Sequence, residues 1–149
     1  MKNTALLLLG LLLYNCASNK TTTAQKITFP FKELINESQG GFNTAKFLVI
    51  KENTSSLETY LQINKIRKPG FDIPEIDYNK QMLFALFMGE KASGGYAISI
   101  DHITETANKL RVFIKERSPN GIATMAITSP FCIVLLDKST KEIVFEKIK

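Results

Sequence analysis

Apolar and polar residues alternate in several short stretches after residue 26, and this pattern predicts β-strands. Alternation at every second position places the apolar side chains on one face of a sheet. Because Pro30 lacks a backbone N–H, we expect the first strand to lie at a sheet edge. The predicted strands are residues 27–31, 45–51, 82–88, 96–101, 110–115, 131–136 and 143–145.

Residues 82–88 differ from the other predicted strands because they are apolar at every position. A short run of this kind is typical of a central strand that is covered on both faces. In residues 96–101 the alternation instead places Tyr96, Ile98 and Ile100 on the inner face.

A single helix is predicted between the strands at 45–51 and 82–88. Ser55 and Glu58 have the spacing of a capping box, in which each side chain satisfies a free backbone N–H near the other residue. Leu57 and Leu61 follow at helical spacing, and we expect this amphipathic stripe to pack on the sheet. Strands, polar turns and one helix together indicate an α+β fold with a mainly antiparallel sheet.

The first 26 residues follow a different pattern, which predicts an export signal. Lys2 precedes a short apolar run at 5–14. A membrane-spanning helix needs roughly 20 apolar residues, so this run fits the core of a secretory signal better. Leu13 stands three residues before Cys16, an arrangement that resembles the bacterial lipobox, although Tyr14 and Asn15 are larger than the residues usual there.

We therefore expect a signal peptide at 1–15, an acylated (palmitate-bearing) Cys16 that is followed by a flexible polar tether to residue 26, and one domain at 27–149. Each buried acyl CH₂ contributes about 0.8 kcal/mol, so two or more chains anchor a protein stably. Ala17-Ser18, which follows Cys16, contains no Asp, and this favours the outer membrane as the location in the cell envelope. A plain signal peptide with an incidental cysteine is the alternative.

Composition limits the chemistry that the domain can perform. The chain has 149 residues and a formal charge of +5 that is dispersed along the sequence, so we expect no nucleic-acid partner. Cys132 lies in an apolar run, where a buried and inert thiol is expected. With one His and one remaining Cys, a four-ligand zinc site is excluded, and we expect no metal and no cofactor.

The most distinctive stretch is 89–96, which lies between two predicted strands. Its candidate binding residues are Ser93, Gly94, Gly95 and Tyr96. Gly94 and Gly95 permit positive φ angles and let backbone N–H groups approach a partner closely. The alternative is that this stretch is a hairpin turn whose glycines serve geometry alone.

No arrangement of residues predicts catalysis. Ser93 would need a base, His102 is the only histidine, and the Gly-x-Ser-x-Gly elbow is missing, so we expect His102 to be a surface or strand-end residue. Residues 117–121 have turn chemistry, with partner binding as an alternative. Three acidic residues lie close together in a predicted loop: Asp72, Glu75 and Asp77. Nothing in their spacing indicates the carboxylate pair of a glycosidase.

Four short motifs in a fixed order resemble the C-terminal domain of the PrcB-like family, named for a subunit of a bacterial surface protease complex. Ser93 stands where the family usually has Thr, and Phe131 stands where Tyr is frequent. The motifs are Asp77-Tyr78, the turn ending in Ser93-Gly94-Gly95-Tyr96, Glu116-Arg117-Ser118-Pro119, and Thr128-Ser129-Pro130-Phe131.

The resemblance implies a non-catalytic accessory role, in which the chain binds or stabilises a protease or another envelope protein. Two other roles stay open. One is a protease inhibitor, because residues 93–96 are similar to the Thr-Thr-Gly-Tyr loop of chagasin-type inhibitors. The other is a purely structural envelope lipoprotein.

Overall fold

The computed structural model describes residues 27–149, so the predicted signal peptide and Cys16 lie outside the described residues. No helix among residues 27–149 is long and apolar enough to cross a membrane. The described elements are β1 (Ile27–Thr28), β2 (Phe31–Glu37), β3 (Lys46–Ile50), α1 (Asn53–Asn64), β4 (Gln81–Phe87), β5 (Ala97–Glu105), β6 (Lys109–Arg117), β7 (Phe131–Asp137) and β8 (Glu142–Ile148).

The strands form two four-stranded sheets. Sheet A has the order β1-β5-β6-β8, and sheet B has the order β2-β7-β4-β3. All neighbouring strands are antiparallel except β6 and β8, which are parallel. The predicted class, α+β and mainly antiparallel, is confirmed. Alternation along one strand does not predict the division into two sheets, because it determines the buried face and not the neighbouring strand.

The main core lies between the two sheets. It is built from the inward positions of β4, β5, β6 and β7: Met82, Phe84, Leu86, Ile98, Ile100, Ile103, Leu110, Val112, Ile114, Cys132, Val134 and Leu136. Burial, assisted by the nearby Glu33 carboxylate, raises the pKa of the Cys132 thiol to about 12. Cys132 is therefore the buried, unreactive thiol that its apolar surroundings predict.

A second core lies on the other face of sheet B, where α1 covers the strands. Tyr60 and Ile63 of the helix pack with Leu83 and Phe87 of β4 and with Ile133 of β7. Because β4 contributes alternate side chains to both cores, its continuous apolar run is explained, and its predicted position as a doubly covered central strand is confirmed.

The predicted buried face of the helix is wrong. Leu57 and Leu61 are 45% and 58% exposed. The buried helix residues are Ser56, Thr59, Tyr60 and Ile63. The two small side chains are buried beside Tyr60 and Ile63, which are the helix residues that belong to the second core. The hydrophobic pattern predicts that apolar residues are buried, so it does not predict the burial of a Ser and a Thr.

The predicted capping box is also wrong. Helix α1 begins at Asn53, and the side chain of its N-cap residue Glu52 accepts no hydrogen bond from a backbone N–H of the first turn. The Ser55 hydroxyl donates instead to the Glu52 carboxylate at 2.9 Å. Ser55 therefore lies inside the first turn, and its spacing to Glu58 does not mark the start of the helix.

Four connections pass from one sheet to the other, and two of them fall on stretches that the sequence analysis singled out. The predicted strand 27–31 is split, with β1 in sheet A and β2 in sheet B, and Pro30 lies at the crossing. Both parts occupy sheet edges, as Pro30 predicts. Residues 88–96 connect β4 of sheet B to β5 of sheet A, so the hairpin alternative for this stretch is wrong.

Candidate interaction site

Strand register brings two long loops together at one end of sheet A. Ala97, the first residue of β5, is paired with Arg117, the last residue of β6. The loop that enters β5 (88–96) therefore ends beside the point where the loop that leaves β6 (118–130) begins. Both loops also connect sheet A with sheet B, so they cover the same end of the domain.

Hydrogen bonds join the two loops, and we refer to this set of contacts as the loop clamp. Lys91 and Thr128 exchange two backbone hydrogen bonds, with N···O distances of 2.7 and 2.9 Å. The Gly94 N–H donates to the Thr124 carbonyl at 3.0 Å. The Thr128 hydroxyl donates to the Ser93 carbonyl at 2.8 Å. The loop that enters β5 thus holds the loop that follows β6 at two residues, Thr124 and Thr128.

Gly94 and Gly95 permit the close approach of the loops. A Cβ at Gly94 would overlap the Thr124 hydroxyl. Gly95 has a φ of +86°, and its Cβ would lie 2.8 Å from the Pro119 Cβ. Packing against the neighbouring loop therefore explains why both positions are Gly. The segment that contains them is a connection between the two sheets and not a hairpin turn.

Ser93 and Tyr96 complete the predicted binding stretch, and both are half-buried. The Ser93 hydroxyl donates to the Gly94 carbonyl at 3.3 Å. Tyr96 packs against the core between the sheets, with the Lys91 ammonium 5.7 Å from its ring centroid. The four residues thus support the base of the neighbouring loop, and direct contact between them and a partner stays a prediction.

The two most exposed apolar side chains among the described residues, those of Ile122 and Met125, lie on the loop that the clamp holds. Ile122 is 106% exposed, Met125 101% and Ile127 66%. We call these three residues the apolar tip. Clustered exposed side chains of this size are typical of an interaction surface, because burial of each in a partner is favourable.

Sequence reasoning missed the apolar tip. Ile122, Met125 and Ile127 follow neither a helical nor a strand period, so no element was assigned to them. The available signal was loop length, since a connection as long as 118–130 is uncommon in a compact domain unless it has a function. Turn chemistry at 117–121 pointed to this region without identifying the contacting residues.

A groove lies beside the clamp, and Ile122 is the residue of the apolar tip that lines it. Its volume is about 420 Å³, and its lining includes Gly94, Gly95, Arg117, Pro119, Ile122 and Thr124. The lining therefore combines apolar side chains with polar ones, among them the guanidinium of Arg117, the last residue of β6. This shape and chemistry suit a segment of polypeptide better than a small charged substrate.

The polar residues that were considered and rejected as catalytic groups form hydrogen bonds or ring contacts with their neighbours. His102 lies within β5, where its Nδ1 is 2.7 Å from the Asp101 carboxylate and its ring stacks on Phe113 at 4.3 Å. The Ser93 hydroxyl binds a carbonyl, and Asp77 accepts the Asn79 N–H at 3.0 Å. Within residues 27–149, no group of three or more His, Cys, Asp or Glu side chains is placed to hold a metal.

The segment that contains the site matches a known protein family. Residues 82–137 match the family model described as PrcB C-terminal, which confirms the resemblance for a segment that includes the clamp and the apolar tip. An uncharacterized protein of Methanocaldococcus jannaschii is 26% identical over 122 residues. The match covers 78% of this chain and 65% of the relative, so this chain spans less than two thirds of that protein. No solved structure matches the chain.

Replacing Gly95 with Ala should open the clamp, whereas replacing Gly121 should not. Both glycines have positive φ, +86° and +93°, so both substitutions carry a backbone strain of about 1–2 kcal/mol. Only the Cβ at position 95 meets another residue, Pro119, since nothing lies within 4 Å of a Cβ at position 121. Limited proteolysis with mapped cleavage should show about tenfold faster cutting within 117–127 in Gly95→Ala than in Gly121→Ala. Equal cutting in the two variants would contradict the packing role of Gly95.

Proposed function

We propose that this chain is a non-catalytic accessory protein that binds a protein of the cell envelope, specifically a protease, through the apolar tip. One observation carries the proposal: Ile122, Met125 and Ile127 are exposed on a loop that is fixed at Thr124 and Thr128. The match of residues 82–137 to the PrcB C-terminal model supports it, since that family is named for a subunit of a protease complex.

The energetics of the loop favour protein binding. Full burial of an Ile or Met side chain contributes about 1.5–3 kcal/mol, so the apolar tip offers a substantial part of a binding free energy. A loop that is already ordered loses less conformational entropy when it binds. The clamp therefore raises the affinity of the tip without contacting the partner.

We further propose that acylation of Cys16 anchors the domain to the membrane, most simply to the outer membrane. The chain enters the domain at Ile27, which pairs with Glu105 at one end of β5. The loop of the apolar tip leaves sheet A beside Ala97, at the other end of the same strand. A strand of this length spans roughly 30 Å. The tether would then join the domain at the end opposite the tip and leave the tip free to contact other envelope proteins.

An inhibitory role for residues 93–96 has less support. Inhibitory loops insert into a protease cleft, but Gly94 is buried and its N–H is bonded to Thr124. Insertion of this stretch would require the clamp to open.

Photo-crosslinking from the apolar tip tests the proposed function. A photoreactive residue would replace Ile122 in the full chain, and Leu61 would carry it in a matched control, because Leu61 is also exposed and apolar but lies on the helix. In intact cells, we expect one protease to be crosslinked from position 122 in large excess over position 61. Identical adducts from both positions, or none from position 122, would contradict the proposal.

Metabolic labelling with an alkyne analogue of palmitate tests the anchor separately. We expect the unmodified chain and Cys132→Ser to incorporate the label, and Cys16→Ser to lose it, because the thiol of Cys132 is buried. Label that persists in Cys16→Ser would contradict acylation at this residue and would leave the role of the apolar tip unaffected.

A further inference from the structure

Four basic residues lie at alternate positions near the two ends of β6, where they point away from the core: Lys109, Arg111, Lys115 and Arg117. Only the first two have acidic partners among the described residues. Lys109 and Arg111 form ion pairs with Glu142 and Glu146 of the adjacent strand β8, at 3.0 and 3.4 Å. The residues between these bases point into the core. The two bases at this end of the strand are therefore neutralised within the sheet.

Lys115 and Arg117, at the other end of β6, form no ion pair within the part of the chain that the structure describes. Strand β8 offers no acid there, because the residue opposite Lys115 is Ile148, with which the strand ends. The intervening Glu116 binds Lys147 at 2.6 Å. Two exposed positive charges thus remain uncompensated at the end of sheet A.

These two bases line a polar depression that adjoins the groove of the apolar tip. The depression has a volume of about 360 Å³ and is lined by Lys115, Arg117, Asn36, Ala97 and Ser99. The Asn36 side chain is oriented by a hydrogen bond of 2.9 Å to Glu33. Arg117 also lines the groove that contains Gly95 and Ile122, so the depression and the groove adjoin each other at this residue.

We infer that the depression and the groove together recognise an extended segment of a partner protein in which acidic side chains lie next to apolar ones. The inference rests on the proposed function and specifies the chemistry of its partner. A carboxylate in the polar depression would accept charge-assisted hydrogen bonds from Arg117 and Lys115. Apolar side chains of the same segment would contact Ile122 and Pro119. Charge complementarity of this kind selects among partners and accelerates their association.

Binding of defined peptides to the purified full chain in a neutral detergent tests the inference. The probes are a short peptide of alternating Leu and Glu and a matched peptide of Leu and Gln, both followed by fluorescence anisotropy. We expect the Leu–Glu peptide to bind about tenfold more tightly at low salt, with the difference shrinking as salt is added.

Paired substitutions on the two ends of β6 locate the effect. The combined variant Lys115→Gln and Arg117→Gln should lose the preference for Glu, and the control Lys109→Gln and Arg111→Gln should keep it. Both variants change exposed or half-buried side chains outside the core, so both should fold.

Three results would overturn the inference. The first is that the two peptides bind equally or not detectably. The second is that both variants lose the preference for Glu equally. The third is that the peptides bind equally while the chain attaches to phosphatidylglycerol vesicles and needs Lys115 and Arg117 to do so. The last result would identify a lipid surface as the occupant. If a protease is crosslinked from position 122 but the preference for Glu is missing, the proposed function stands and this inference alone fails.

Discussion

The hydrogen-bonded contact between the loop entering β5 and the loop leaving β6 is the constraint on which the candidate site depends. Without it, the loop leaving β6 would be held only near its end, by hydrogen bonds that include those from Gln39 to the Ile127 carbonyl and from the Ser129 N–H to Ser38. A long connection with exposed apolar side chains would then lose more conformational entropy on binding. Each hydrogen bond contributes only about 1 kcal/mol. Together with the close packing of Gly94 against Thr124 and of Gly95 against Pro119, they hold the loop in one arrangement.

The two-sheet architecture explains why this contact exists. Strand β4 belongs to sheet B and β5 to sheet A, so the chain between them must cross the end of the domain. The chain between β6 and β7 makes the reverse crossing at the same end, because Ala97 and Arg117 are paired. Two crossovers that cover one end of a sandwich contact each other necessarily, and the glycines let them do so through their backbones.

The sequence predicted the features that depend on burial along a single strand. The apolar run at 82–88 identified the doubly covered β4, the neighbours of Cys132 identified its burial, and Pro30 identified a sheet edge. Features that depend on contacts between distant segments could not be predicted. The helix buries Ser56 and Thr59 on the face from which Tyr60 and Ile63 pack into the second core, and no pattern within the helix indicates which face meets the sheet.

The candidate site was predicted only in part, because it too depends on contacts between distant segments. The stretch 93–96 stood out because glycine pairs indicate special backbone geometry, and the structure shows that this geometry serves the neighbouring loop. The apolar tip has no period and therefore gave no signal of its own. The basic end of β6 is visible only once the register places Ile148, and not an acid, opposite Lys115.

Hydrogen–deuterium exchange of individual backbone amides tests the central claim most directly. If the clamp fixes the loop, the amides of Lys91, Gly94 and Thr128 should exchange slowly, because each donates a hydrogen bond across the two loops. The amides of Ile122 and Met125, on the exposed tip, should exchange rapidly. Equally rapid exchange at all five positions would show that the clamp does not hold the loop in solution, and would contradict a preformed binding surface.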